Sequence, residues 1–138
     1  MNRIELHDLA RMRIREGKSL LDAELYAGSY YLSGYAVECG LKAVIAKLQG
    51  RNEFPDKRFA NECNTHNLRT LVRLAGLQFD LEGEIQSSTA FAENWSVVRK
   101  WSELARYEVN VPAQTARCMY VACAGHPKGV LPWIQMYW

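Results

Sequence analysis

The chain has 138 residues, of which 49% are apolar, and it carries a formal net charge of +2 at pH 7. This length fits a single domain, residues 1–138, while the apolar content excludes extensive disorder and the small charge excludes a protein that coats DNA through overall basicity. No run approaches the roughly 18 apolar residues of a membrane span, and the N-terminus lacks the apolar stretch of a signal peptide, so we expect a cytoplasmic protein.

The first half of the chain predicts two long helices followed by a loop. Residues 5–24 combine helix-forming residues with a loose apolar stripe. Gly28 and Ser29 then predict a break, with Ser29 as the N-cap of the next helix. That helix, residues 30–49, is apolar around most of its circumference, which is typical of a central helix covered on several sides. The polar residues 50–65 predict a loop.

The second half predicts shorter helices separated by glycine and proline. A helix over residues 66–75, capped by Asn64 or Thr65, is followed by an ambiguous stretch. Apolar residues at helical spacing predict one helix over residues 91–107. Further helices are expected from Pro112 to Ala124 and over residues 130–137. Because the period-two alternation typical of strands is absent, we predict an all-α, up-and-down helical bundle of five or six helices.

Glu38 and Lys42 form the first candidate site. They lie four residues apart, on one face of the second helix with Tyr35. Burying two charges in an apolar helix is costly unless they are paired. The pair is therefore either a structural ion pair, with the Lys42 ammonium reaching solvent, or an anion site in a cleft between helices.

Trp101, Arg106 and Tyr107 form the second candidate site. An aromatic ring and a guanidinium near a helix end can stack on a base and pair with a phosphate. The alternative is a core Trp101, a capping Arg106 and a core Tyr107 whose hydroxyl bonds to the backbone.

Two Cys-x-x-His pairs raise the question of a zinc site. The pairs are Cys63 with His66 and Cys123 with His126. Neither pair lies in a knuckle-like turn, and residues 118–123 read as apolar helix. No glycine-rich phosphate loop is present either. We therefore predict no metal and no cofactor, with the four cysteines as reduced thiols.

Four segments together carry a resemblance to a known family. They are AGSYYLSGYAVECGLKAVIA (27–46), HNLRTLV (66–72), WSVVRKWSELARY (95–107) and VLPWIQ (130–135). In that combination the chain resembles the HEPN family (higher eukaryotes and prokaryotes nucleotide-binding) from about residue 9 to residue 138. The resemblance implies a helical bundle, often a homodimer, in toxin–antitoxin systems and often beside a minimal nucleotidyltransferase.

Many HEPN proteins are metal-independent ribonucleases whose signature is Arg and His spaced R-x4-6-H. This chain departs from that signature, because the positions at that spacing before His66 are Phe59, Ala60 and Asn61. The other two histidines, His7 and His126, also lack an arginine at that spacing.

We therefore expect a non-catalytic HEPN-like module that binds RNA, a nucleotide or a partner protein. Its predicted ligand residues are Glu38, Lys42, His66, Trp101, Arg106 and Tyr107, with Trp101 as a stacking or wall residue. One alternative is a ribonuclease that uses His66 as the base and Arg106 or Arg58 as the phosphate ligand. Another is a protein whose surface only binds a nucleotidyltransferase.

Overall fold

The computed structural model describes residues 1–50 and 57–138. These residues form eight α-helices and one 3-10 helix, and they contain no strand. In chain order the helices are α1 (Arg3–Asp22), α2 (Tyr26–Leu48), α3 (Lys57–Glu62), α4 (Leu68–Leu74), α5 (Gln78–Ser87), α6 (Thr89–Val98), the 3-10 helix (Glu103–Tyr107), α7 (Ala113–Ala124) and α8 (Val130–Gln135).

The predicted all-α helical bundle is confirmed, although the helices outnumber the predicted five or six. One additional helix lies in the segment predicted as a loop, residues 50–65, of which residues 51–56 are outside the described part of the chain. The loop prediction is wrong for residues 57–62, which form α3, and the ambiguous residues 77–90 contain α5.

Helices α1 and α2 form an antiparallel hairpin. Gly17 of α1 faces Ser33 of α2, and Gly28 of α2 faces Leu20 of α1. The predicted break at Gly28 and Ser29 is wrong, because α2 begins at Tyr26. The Ser29 hydroxyl does not cap a helix. It donates to the main-chain oxygen of Gly17 at 2.7 Å and so ties the two helices together.

Helix α2 is the central element of the described fold, as its apolar sequence predicted. Twelve of its 23 residues are buried. It packs against α1, α4, the 3-10 helix, α7 and α8. A ligand site on α2 is therefore reached only where these neighbours leave a side chain partly exposed.

The helix predicted over residues 91–107 is interrupted. Helix α6 ends at Val98, and the 3-10 helix starts after Ser102, whose hydroxyl accepts a hydrogen bond from the Leu104 amide. The interruption brings the Trp101 indole onto α2 at Gly34. Helical spacing alone did not reveal the break, because the buried side chains of Trp95, Val98 and Trp101 keep helical spacing up to the break and into it.

Helices α7 and α8 begin within one residue of their predicted starts. Pro112 is the N-cap of α7, and α8 begins at Val130. Helix α8 ends at Gln135, two residues before the predicted end. Among the described helices, none combines the length and the apolar content that a membrane-spanning segment requires.

Candidate functional site

A buried carboxylate joins three of the predicted site residues. Glu38 is 2% exposed, and its Oε1 accepts a hydrogen bond from Lys42 Nζ at 2.9 Å. His66 Nδ1 lies 2.9 Å from Oε1 and 3.0 Å from Oε2 of the same carboxylate. We call Glu38, Lys42 and His66 the Glu38 cluster.

The start of α4 holds His66 in place. The Asn67 side chain caps α4 by accepting a hydrogen bond from the Thr70 amide at 3.0 Å, and the Asn67 amide donates to the Thr65 hydroxyl at 3.1 Å. Leu68, which follows, is 1% exposed and anchors α4 in the core. The prediction of Asn64 or Thr65 as the N-cap is therefore wrong, and His66 precedes the helix instead of starting it.

The cluster has a buried side and an exposed side. The Lys42 side chain is 24% exposed and the His66 side chain is 44% exposed, whereas Glu38 is enclosed. Both donors are therefore anchored from within while part of each side chain reaches solvent. Because Nδ1 of His66 faces the carboxylate, its Nε2 is the ring nitrogen left for a ligand.

The α2 residues beside the cluster are uncharged at neutral pH. Burial raises the pKa of Tyr35 to about 12, with a further contribution from Cys39. Burial, together with the nearby Glu38 carboxylate, raises the pKa of the Cys39 thiol to about 11. Neither group adds a negative charge, so the negative charge shared by Lys42 and His66 is that of the Glu38 carboxylate.

Trp101 packs on α2 at Gly34, which lies one helical turn before Glu38. It is 3% exposed, its Nε1 donates to the Tyr31 main-chain oxygen at 3.1 Å, and its ring stacks with that of Tyr31 at 6.0 Å. Tyr31 in turn stacks with Tyr35 at 6.0 Å. The ring of Trp101 is therefore not available to stack on a ligand. It is a core residue that packs against Tyr31, and Tyr31 packs against Tyr35.

Arg106 and Tyr107 form a separate exposed pair on the 3-10 helix. The Arg106 guanidinium lies 4.9 Å from the centre of the Tyr107 ring, and Tyr107 is 69% exposed. The alternative of a core tyrosine is therefore wrong. Among the described residues, no hydrogen bond or ring contact joins this pair to the Glu38 cluster. The six predicted residues thus divide into the Glu38 cluster, a buried Trp101 and an exposed cation–π pair.

Sequence reasoning paired Glu38 with Lys42 and proposed His66 separately, but it did not connect His66 to Glu38. Their separation of 28 residues has no local periodicity that could signal a contact. The contact depends on how α4 packs against α2, which becomes visible only in three dimensions.

The Cys-x-x-His pairs do not converge on a metal site in the described residues. Cys123 is fully buried while His126 is exposed, and His66 is engaged by Glu38. In the described ranges there is no group of three or more His, Cys, Asp or Glu side chains that could hold a metal ion.

No protein-family model, curated protein or solved structure matches the chain. The resemblance to the HEPN family therefore stays a prediction.

Proposed function

We propose that this chain is a HEPN-like module that binds RNA through the Glu38 cluster and the exposed Arg106–Tyr107 pair. The observation that carries the proposal is the buried Glu38 carboxylate, which anchors Lys42 and His66 at 2.9 Å while both side chains remain partly exposed. An ammonium held in this way, and an imidazole ring when Nε2 also carries a proton, can donate to phosphate oxygens. Their anchoring lowers the entropy that a ligand must remove on binding.

RNA is favoured over a single nucleotide because the exposed groups are in two places. Arg106 and Tyr107 present a guanidinium and an aromatic ring to solvent, which are the groups that contact phosphates and stack with unpaired bases. In this proposal one single-stranded RNA contacts this pair and the Glu38 cluster at once, whereas a mononucleotide occupies one of them. A homodimer, which the resemblance implies, and a cytoplasmic location, which the sequence predicts, belong to the same proposal.

The test is fluorescence anisotropy with a labelled single-stranded RNA of mixed sequence, in EDTA and at several salt concentrations. Each of three variants, Lys42→Gln, His66→Gln and Arg106→Ala, is expected to weaken binding by about tenfold. Lys42→Gln and Arg106→Ala should also each lower the slope of log affinity against log salt concentration by about one unit, since each removes one phosphate contact. For Arg106→Ala, the loss of binding free energy should exceed the loss of unfolding free energy, because the Arg106 side chain is exposed.

Two matched controls are available. Lys128→Gln removes a lysine that also pairs with a glutamate, Glu84, at 3.2 Å, and Arg117→Gln removes an exposed arginine of α7. Both should bind RNA like the wild type. Equal affinity of wild type, Lys42→Gln and His66→Gln would refute the proposed site. Absence of any RNA binding would shift the proposal to a protein partner, such as the nucleotidyltransferase that the resemblance implies.

A second candidate, a metal-independent ribonuclease, is favoured by one feature of the cluster. A buried carboxylate on Nδ1 of His66 orients the ring and leaves Nε2 as the nitrogen that can accept a proton, which is the arrangement of a general base. Of the two arginines proposed as its phosphate ligand, Arg58 lies 3.5 Å from Glu62, and Arg106 lies over Tyr107.

A denaturing gel of the same RNA incubated in EDTA separates the two candidates. Cleavage by the wild type that is lost in His66→Gln would establish the ribonuclease. Binding with intact RNA in all lanes would support the non-catalytic module.

A further inference from the structure

A groove of about 520 Å³ lies between α1, α7, the turn after α7, and α8. None of the residues of the Glu38 cluster or the Arg106–Tyr107 pair lines it. The side chains that define its chemistry are Arg15, Lys18, Tyr120, His126, Pro132 and Gln135. Its volume is in the range of pockets that hold small organic ligands.

Three nitrogen donors face this groove from two sides. Helix α1 supplies Arg15 and Lys18, which lie three residues apart on one face, and the turn after α7 supplies His126. Among the described residues, neither Arg15 nor His126 has a hydrogen-bond or ion-pair partner. The Lys18 ammonium donates to Asp22 at 2.6 Å, which raises the pKa of Lys18, with a smaller contribution from Tyr120 across the groove.

The balance of charge distinguishes this groove from two others on the surface. Among the described residues no carboxylate lines it, although Asp22 flanks it through Lys18. A neighbouring groove, also bordered by Arg15, includes Glu16, and a groove between α6 and α7 combines Arg117 with Glu93. The α1–α7 groove therefore keeps uncompensated positive charge, which favours an anionic ligand.

The remaining lining suits an organic body attached to that anion. The Tyr120 ring, Pro132 and Leu131 provide aromatic and apolar surface beside the donors, while Gln135 and Ser19 add neutral hydrogen-bonding groups. A flat ring can pack against the Tyr120 ring while its charged group reaches Arg15.

We propose that this groove binds a phosphate monoester, with Arg15, Lys18 and His126 as donors to the phosphate and Tyr120 as a contact for the attached organic group. A phosphate monoester carries about −1.5 to −2 charges and three acceptor oxygens, which matches three donors better than a single carboxylate does. The phosphate belongs either to a free small molecule or to the 5′ end of an RNA. The site is independent of the RNA-binding proposal for the Glu38 cluster.

The probe is adenosine 5′-monophosphate, with adenosine as the matched compound that lacks the phosphate, and titration calorimetry measures both affinities. Adenosine is expected to bind at least about tenfold more weakly than the monophosphate, since it lacks the oxygens that accept charged hydrogen bonds from the groove. Arg15→Gln and His126→Asn should each weaken monophosphate binding to a similar extent. Arg117→Gln, which removes an exposed arginine that does not line this groove, should leave it unchanged. Arg15, His126 and Arg117 are exposed, so thermal unfolding should show intact folds.

The outcomes separate cleanly. Equal binding of adenosine and its monophosphate, unchanged affinity in Arg15→Gln, or no binding of the monophosphate at millimolar concentration would each overturn the proposal. Competition by RNA with a 5′-phosphate, but not by the same RNA with a 5′-hydroxyl, would identify the RNA end as the source of the phosphate. Failure of both RNAs to compete, with monophosphate binding intact, would identify a small molecule.

Discussion

Replacing Gly34 by alanine tests the packing that supports the Glu38 cluster. An added Cβ would overlap Cγ, Cδ1 and Nε1 of the Trp101 ring. That ring is 3% exposed and is held by its 3.1 Å hydrogen bond to Tyr31, so it can yield only by leaving its place. Overpacking costs about 1–3 kcal/mol and the lost indole hydrogen bond costs about 0.5–1.5 kcal/mol. The better helix propensity of alanine returns about 1 kcal/mol.

The expected net effect is a fall of about 1–3 kcal/mol in the free energy of unfolding, or roughly 5–10 °C in Tm. Urea and thermal unfolding followed by circular dichroism measure both quantities. Gly83→Ala is the matched control. Gly83 lies inside α5 with no atom near its added Cβ, so that change should stabilise the protein by about 0.5–1 kcal/mol. If both alanine variants stabilise the protein equally, Trp101 does not pack on Gly34 as described.

Two further predictions concern titratable side chains. Burial, with Arg11 next in effect, lowers the pKa of His7 from its ordinary value of 6.5, and its ring stacks on Trp138 at 4.1 Å. The unfolded chain therefore binds more protons, and the free energy of unfolding should fall as pH drops below about 6.5. The free energy of unfolding, measured in urea between pH 5 and 8, should depend less on pH in His7→Phe than in the wild type. An unchanged pH dependence in that variant would contradict the prediction. Iodoacetamide at pH 8 should alkylate the exposed Cys118 but not Cys39, whose pKa is raised to about 11 by burial. Peptide mapping that finds Cys39 alkylated in the folded protein would contradict this.

The candidate site was only partly predictable. Residue type and spacing singled out Glu38 with Lys42, because two charges in an apolar helix must be paired, and the 2.9 Å contact between them is a consequence of one helical turn. The same reasoning could not separate Trp101 from Arg106 and Tyr107. Their exposure depends on the interruption between α6 and the 3-10 helix, which buries the indole and leaves the other two side chains in solvent.

The groove on α1 left only a partial signal in the sequence. Arg15 and Lys18 share a helix face, which is a local property that the sequence shows. Whether that face is solvated or lines a groove depends on Tyr120 and His126, more than 100 residues away. Local spacing gives no information about such a distant partner.

By itself the sequence determined the helical class, the central position of α2 and several helix ends. These follow from local physics: the period of apolar residues decides which faces must be buried, and proline or glycine decides where a helix can begin or end. Tertiary structure decided that Gly28 and Ser29 continue α2, because bonding Ser29 to Gly17 of α1 satisfies the hydroxyl that would otherwise favour a cap. It also decided which groups meet at Glu38, because the contact with His66 arises from the packing of α4 on α2 and not from any interaction along the chain.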